Sequence, residues 1–175
     1  MAENLETFTS TLGGFTIKYP SDWVVEGVKT VDLINKDNGS PNQTSDFIYL
    51  HSKYPSRDAI TENYMGMELR IVDSGSIADN YLLRNGNNGN IIATLDNGLM
   101  LYQQISTFSG KDVAVLALTK NGYSIVDLPN GKKLISLSTF NCAGGDLSNL
   151  KLTYDEQLQS VEYKQAIEIL KSISF

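Results

Sequence analysis

Cysteine is almost missing from this chain: Cys142 is the only one in 175 residues. A lone thiol excludes an intrachain disulfide framework and any metal site built from several thiolates. Histidine is as scarce, with His51 alone. Arginine occurs three times, and Lys and Arg together number 14 against 20 Asp and Glu, for a formal net charge of −6. Phosphate-backbone binding needs clustered Lys and Arg, so nucleic acid is excluded as a partner. Charged residues make up only 19%, below the typical ~25%. Long apolar runs are absent too. The longest is Val113–Leu118, far short of the ~18 residues that a membrane-spanning helix needs. The N-terminus has no basic stretch leading into an apolar one, so a secretory signal is expected to be absent or already removed.

Neutral polar residues fill the space left by charge: 15 Asn, 17 Ser, 12 Thr and 14 Gly. A length of about 100–200 residues is the usual size of one domain, and such a chain buries roughly 70% of its unfolded surface without staples. The polar start, residues 1–12, reads as a flexible opening segment, and residues 13–175 as a single domain.

Asn-Gly occurs six times, at Asn38, Asn85, Asn88, Asn97, Asn121 and Asn130. This pair supplies the two positive φ angles of a tight hairpin turn. Together with Ser109-Gly110-Lys111, the last three punctuate segments of period two. They predict a five-stranded antiparallel meander over Asn90–Leu95, Leu99–Thr107, Asp112–Thr119, Tyr123–Asp127 and Lys132–Phe140. The unbroken apolar run Val113–Leu118 suggests a central strand covered on both faces. Further strands are expected at Phe15–Tyr19, ending at Pro20, at Trp23–Glu26 and Thr30–Asn35, and at Phe47–Ser52. Two segments carry the helical period instead. Ser56 is a candidate N-cap for a helix over about Arg57–Arg70, with Ile60, Tyr64, Met67 and Ile71 on one stripe. Thr153 with Glu156 forms a capping-box pattern ahead of a C-terminal helix marked by Tyr163, Ala166, Ile167 and Leu170. It reads as one helix, or as two with Ser160 as a second cap.

Candidate chemistry is sparse. His51 and Cys142 could form a Cys–His dyad, but His51 shares a strand pattern with Phe47 and Tyr49, and a structural role outweighs a catalytic one for both. Ser148 and Lys151 match S-x-x-K without the companion motifs of that enzyme class. Gly86-Asn87-Asn88-Gly89 lacks the G-K-[ST] of a phosphate loop. Asp37, Asn38, Asn42 and Asp46 are hard oxygen donors that could serve calcium, yet they miss the EF-hand spacing, and a solvated loop is the better reading. Two N-x-[ST] sequons fall in the same loop, at Asn38 and Asn42. Asp58 with Glu62, and Glu162 with Lys171, read as solvated helix faces. No cofactor and no metal are expected.

One phrase is more specific. Gly14-Phe15-Thr16-Ile17-Lys18-Tyr19-Pro20-Ser21-Asp22-Trp23 resembles the opening signature of PsbP-like proteins, G-[FIV]-x-[IFV]-x-Y-P-x-x-W. The end of the chain, Ala166–Phe175, is similar to the short helix and terminal strand that close many of them. The resemblance implies an α+β fold, an antiparallel sheet flanked by helices as an α/β/α sandwich. That fold is shared by photosystem II PsbP, Ran-binding Mog-type proteins, bacterial envelope lipoproteins and secretion-system adaptor chaperones. The physics of the motif is structural. Tyr19 ends a strand, Pro20 sets the turn, Asp22 caps it and Trp23 anchors the next strand in the core, with a ligand platform as the alternative role for Trp23. Metal-binding histidines of the photosystem members do not carry over to a chain with His51 alone.

The reading that results is a non-catalytic, extracytoplasmic, prokaryotic PsbP-like domain that binds a protein partner at the cell envelope. The charge-poor surface supports life outside the cytoplasm, and a core of this size dispenses with disulfides. The alternatives are a small-molecule or metal-binding protein with a pocket between sheet and helix, or a cytosolic adaptor or chaperone of the same fold. Neither partner nor oligomeric state is written in the sequence.

Overall fold

The computed structural model describes residues 4–33, 43–52, 63–73, 89–120, 123–142 and 144–175, the side chains of 27–33 and 43–45 excepted. Within them the chain is mostly β. A hairpin of β1 (Leu5–Ser10) and β2 (Phe15–Pro20) comes first. Then follow β3 (Val24–Leu33), β4 (Gln43–His51), β5 (Asn63–Val72), β6 (Gly89–Thr94), β7 (Met100–Phe108), β8 (Lys111–Thr119), β9 (Ile125–Asp127) and β10 (Lys133–Cys142). They form one sheet in the order β3-β4-β5-β10-β8-β7-β6, with β9 beside β10, and every pairing is antiparallel. Two short helices end the chain, α1 (Tyr154–Gln159) and α2 (Val161–Lys171). Residues 5–10, part of the stretch read as a flexible opening segment, form β1 and pair residue for residue with β2.

Register assigns every strand residue to one of two faces. Ile48, Leu50, Met65, Met67, Leu69, Leu116, Leu118 and Phe140 share one face and are fully buried. The helices pack here. The Tyr163 hydroxyl donates to Gln103 Oε1, and Gln103 Nε2 donates to the Tyr154 hydroxyl at 3.2 Å. The β1–β2 hairpin contributes Phe15, Ile17 and Tyr19 to the same core. It is clamped to the end of the chain by paired backbone bonds between Thr16 and Ser174, at 2.9 and 3.0 Å.

The expected α/β/α sandwich is therefore corrected. Both described helices lie on one face of the sheet, so the described residues form a mostly-β structure, a large antiparallel sheet with two short C-terminal helices, rather than a helix-flanked sandwich. Val113–Leu118 is buried on both faces, as its apolar run suggests. The physical reason for the corrected architecture lies in β5. The segment expected as a helix over Arg57–Arg70 is a strand from Asn63 onward, while residues 53–62 lie outside the described residues. Met65, Met67, Leu69 and Ile71 recur every second residue and are all buried, and this period of two prevails over the looser helical stripe. Gly66, awkward in a helix, suits the strand because the Tyr49 hydroxyl fills its side-chain position, 2.4 Å from where a Cβ would stand.

The turns refine the hairpin expectation. At Asn97-Gly98 and Asn130-Gly131 only the glycine takes a positive φ, at 79° and 80°. The asparagine carboxamide oxygen instead accepts the amide of Leu99 or Lys132, both at 3.1 Å. These are three-residue loops built on a type I turn with a closing glycine. Two successive positive φ angles occur at Ser109 (50°) and Gly110 (73°), which join β7 to β8. The five-strand meander holds for β6-β7-β8 only. Lys120 and Tyr123 pair with each other, and β9 then runs along β10 in the same direction as β8.

Consequently β8 and β10 touch in register at only two pairs, Ser138↔Leu116 and Thr139↔Val115. In a strand, alternate residues present their backbone groups to the same edge, so Asp112, Ala114, Leu116 and Leu118 all face β10. Side chains complete what the ladder leaves open. The buried Gln157 of α1 accepts the Ala114 amide at 2.9 Å and donates to the Asp112 and Leu152 carbonyls at 2.8 and 3.2 Å. At the other end the Leu118 amide donates to Ser136 Oγ at 2.7 Å. The helix carrying Gln157 is fixed by the expected capping box, with the Thr153 amide donating to Glu156 Oε2 at 2.8 Å and the Glu156 amide to Thr153 Oγ1 at 3.3 Å. Ser160, extended at ψ 154°, separates α1 from α2 and caps the second helix.

Leaving a buried peptide group unpaired costs about 1–3 kcal/mol. Gln157→Ala should therefore destabilise the protein by about 2–4 kcal/mol in urea unfolding. Gln157→Glu keeps the shape but loses both donated bonds, and should cost at least as much.

Candidate functional site: the open face of the sheet

The second face of the sheet is built differently from the core face. Along β3, β4, β5 and β10, register places Glu26, Phe47, Tyr49, His51, Tyr64, Glu68, Arg70, Leu137 and Thr139 on it. Phe47, Tyr49, Tyr64, Arg70 and Thr139 are half-buried. Leu137 stands on β10, in the interior of the sheet, and is 39% exposed. Among the described residues no helix covers this face.

Rings organise one end of it. The His51 ring centroid lies 5.7 Å from that of Tyr49 and 6.0 Å, edge-on, from that of Tyr64. Gly66, directly opposite His51 on β5, leaves the room that the Tyr49 hydroxyl occupies. His51 itself is fully buried, and its Nδ1 lies 2.8 Å from the Ser52 carbonyl. A carbonyl can only accept, so Nδ1 carries the proton. Nε2 faces the Glu26 carboxylate at 3.6 Å. Next to the rings, Arg70 Nε donates to Glu68 Oε1 at 2.9 Å. The result is a largely aromatic and apolar surface that carries the Glu68–Arg70 ion pair.

The remaining sequence candidates are dispersed. Cys142 lies on the core face, three residues along β10 from Thr139, which shares the His51 face. Thiol and imidazole thus point to opposite sides of the sheet and form no dyad. Burial is the main reason the Cys142 thiol is pushed up from its ordinary pKa, with the Asp146 carboxylate adding to the rise and an Asn63 amide hydrogen bond at 3.2 Å opposing it. Ser148 sits in a surface 3-10 turn (Leu147–Asn149) capped by Asp146, and Lys151 is exposed. Residues 37–42, 58, 62 and 86–88 lie outside the described residues, while Asp46 pairs within β4 against Ile71. On α2, Lys171 binds Glu168 at 2.8 Å.

The Tyr19–Trp23 motif packs the hairpin onto α2. Tyr19 is buried and donates to Glu6 Oε2, its register partner on β1, at 2.9 Å. Burial first, and this carboxylate second, raise the phenol's pKa. The Pro20 carbonyl accepts the Trp23 amide at 2.9 Å, with the exposed Asp22 in the turn between them. The Trp23 indole is buried, and its Nε1 donates to Gln165 Oε1 at 2.8 Å. A groove of about 330 Å³ opens beside it, lined by Leu5, Lys18, Pro20, Gln165, Glu168 and Lys171 among others.

The alternation Phe47, Tyr49, His51 made the β4 part of this face legible. Tyr64, Glu68 and Arg70 were missed because their segment was read as helical. A count of the period-two positions Met65, Met67, Leu69 and Ile71 would have found them.

A buried thiol with a raised pKa is a poor nucleophile. Cys142 should resist a disulfide reagent in the native protein from neutral to mildly alkaline pH and react only on unfolding. Stoichiometric labelling within seconds of mixing would contradict this placement.

Comparison with protein-family models, with curated proteins and with solved structures finds no match for this chain.

Proposed function

We propose that the chain is a non-catalytic module that binds a protein partner outside the cytoplasm, using the open face of its sheet. The exposure of Leu137 carries this reading. A leucine on an interior strand is normally covered, and fully burying it gains about 1.5–3 kcal/mol. Around it stand Phe47, Tyr49, Tyr64 and Arg70, and aromatic residues and arginine are the types enriched at the centre of protein interfaces. Glu68 and Arg70 already pair with each other, so recognition here is by shape and apolar contact rather than by long-range charge. The separation of Cys142 from His51 supports a role without covalent chemistry. The low charge and the Asn, Ser and Thr content support a site outside the cytoplasm, and the opening phrase Gly14–Trp23, which resembles that of PsbP-like accessory proteins, points the same way.

Replacing Leu137 by Arg puts a charge in the centre of the face without touching the core. In cross-linking and affinity capture from the source cells, wild-type protein should enrich a defined envelope protein. Leu137→Arg should lose that protein by at least about tenfold while its Tm stays within a few degrees. Retention of the same partner by Leu137→Arg would overturn the assignment of the face, and recovery of the protein with the cytosolic fraction would overturn the location.

A further inference from the structure

The two ends of the sheet are unequal. β3 and β6 are the terminal strands of the ladder. The sequence of β3 contains Glu26, Lys29 and Asp32, and the strand is bulged between Glu26 and Lys29. Charge and bulges are the usual means of keeping an edge from pairing with another chain. β6 is Gly89-Asn90-Ile91-Ile92-Ala93-Thr94, without charge and without proline. It has a bulge at Ile92, yet the side chains beside its free edge are apolar and in water. Ile91 is 53% exposed and Ile92 39%. Among the described residues nothing pairs with the outer edge of β6.

We propose that two copies of the chain associate by antiparallel pairing of β6 with β6 of the second copy, continuing the sheet across a two-fold axis. The occupant follows from the edge itself. A row of backbone donors and acceptors is satisfied by another strand, and a two-fold contact sets the same patch against itself. Such self-pairing fails when like charges meet. β6 has none, so every register sets neutral residues opposite neutral residues, whereas β3 would oppose its own charges. Six residues span only ~20 Å, and the bulge shortens the usable run. The contact is therefore smaller than the roughly 800 Å² per partner of a standard interface, and the dimer is weak and reversible, with a Kd of about 10–100 µM. The net charge of −6 on each copy opposes approach, and salt screens it over a Debye length of about 8 Å at physiological strength. Association therefore strengthens as salt is raised.

Sedimentation velocity from about 1 µM to about 1 mM protein, at about 20 mM and about 500 mM salt, tests this directly. The weight-average mass of the wild type should climb from 19.3 kDa toward twice that value, at lower protein concentration in high salt. Ile91→Lys should weaken association at least about tenfold, with an unchanged circular dichroism spectrum. If that variant fails to fold, Ile92→Lys at the bulge serves instead. Hydrogen exchange at the β6 amides of the wild type should slow as protein concentration rises. Leu137→Arg, on the open face, should dimerise like the wild type, which separates this contact from the partner-binding surface. A wild type that stays monomeric throughout, a folded β6 variant that dimerises unchanged, or a loss of dimer in Leu137→Arg alone would each overturn the proposal.

Discussion

The sheet depends on how β8 is joined to β10. On one side of that seam stand β3, β4, β5 and β10, and on the other β8, β7 and β6. Two residue pairs hold the halves in register. Beyond them the strands part, and buried peptide groups of β8 would be left without partners. The Gln157 amide has one donor group and one acceptor, as a peptide has, and it supplies both to Ala114 and Asp112. Ser136 Oγ accepts the amide of Leu118. A buried polar group satisfied in this way costs little, while the same group orphaned costs kilocalories. Position therefore matters at these two side chains more than their modest size suggests.

This joint also explains why the helical layer lies where it does. Gln157 reaches β8 only if α1 sits over the seam, and Thr153 and Ser160 fix both ends of that helix. The second helix then runs back over β5 and β7 to meet the hairpin through Trp23 and Gln165. Thr16 and Ser174 tie the two ends of the described chain together on this same side. One face of the sheet is thus committed to the core. The other carries, over β4, β5 and β10, the rings, the Glu68–Arg70 pair and an exposed Leu137, and this stretch is the surface proposed for a partner.

Much of the strand content could be read from the sequence, because burial on one face writes a period of two into Phe15–Tyr19, Phe47–His51 and Lys133–Cys142. The capping box at Thr153 and Glu156 was equally plain, since both halves of the motif lie within four residues. The misreadings share a cause. Met67, Ile71 and Tyr64 fit a helical stripe, but Met65 and Leu69 do not, and only pairing with β4 and β10 on both sides decides for the strand. Asn121-Gly122 reads locally as a reversal, and Lys120 with Tyr123 does pair, yet the chain resumes its former direction because β10 offers one continuous partner. The α/β/α expectation came from the two ends of the chain, and Asn63–Val72 decided against it. Gln157, the residue on which the seam turns, carries no local signal, because the β8 groups it serves are 43 and 45 residues away in the chain.

Amide hydrogen exchange at Ala114 and Leu118 tests the central claim most directly, since neither amide has a strand carbonyl as its partner. If the two side chains truly complete the ladder, both amides exchange only through global unfolding, as slowly as Leu116 between them. Exchange of Ala114 and Leu118 at rates like those of the β6 edge, orders of magnitude faster than Leu116, would contradict it.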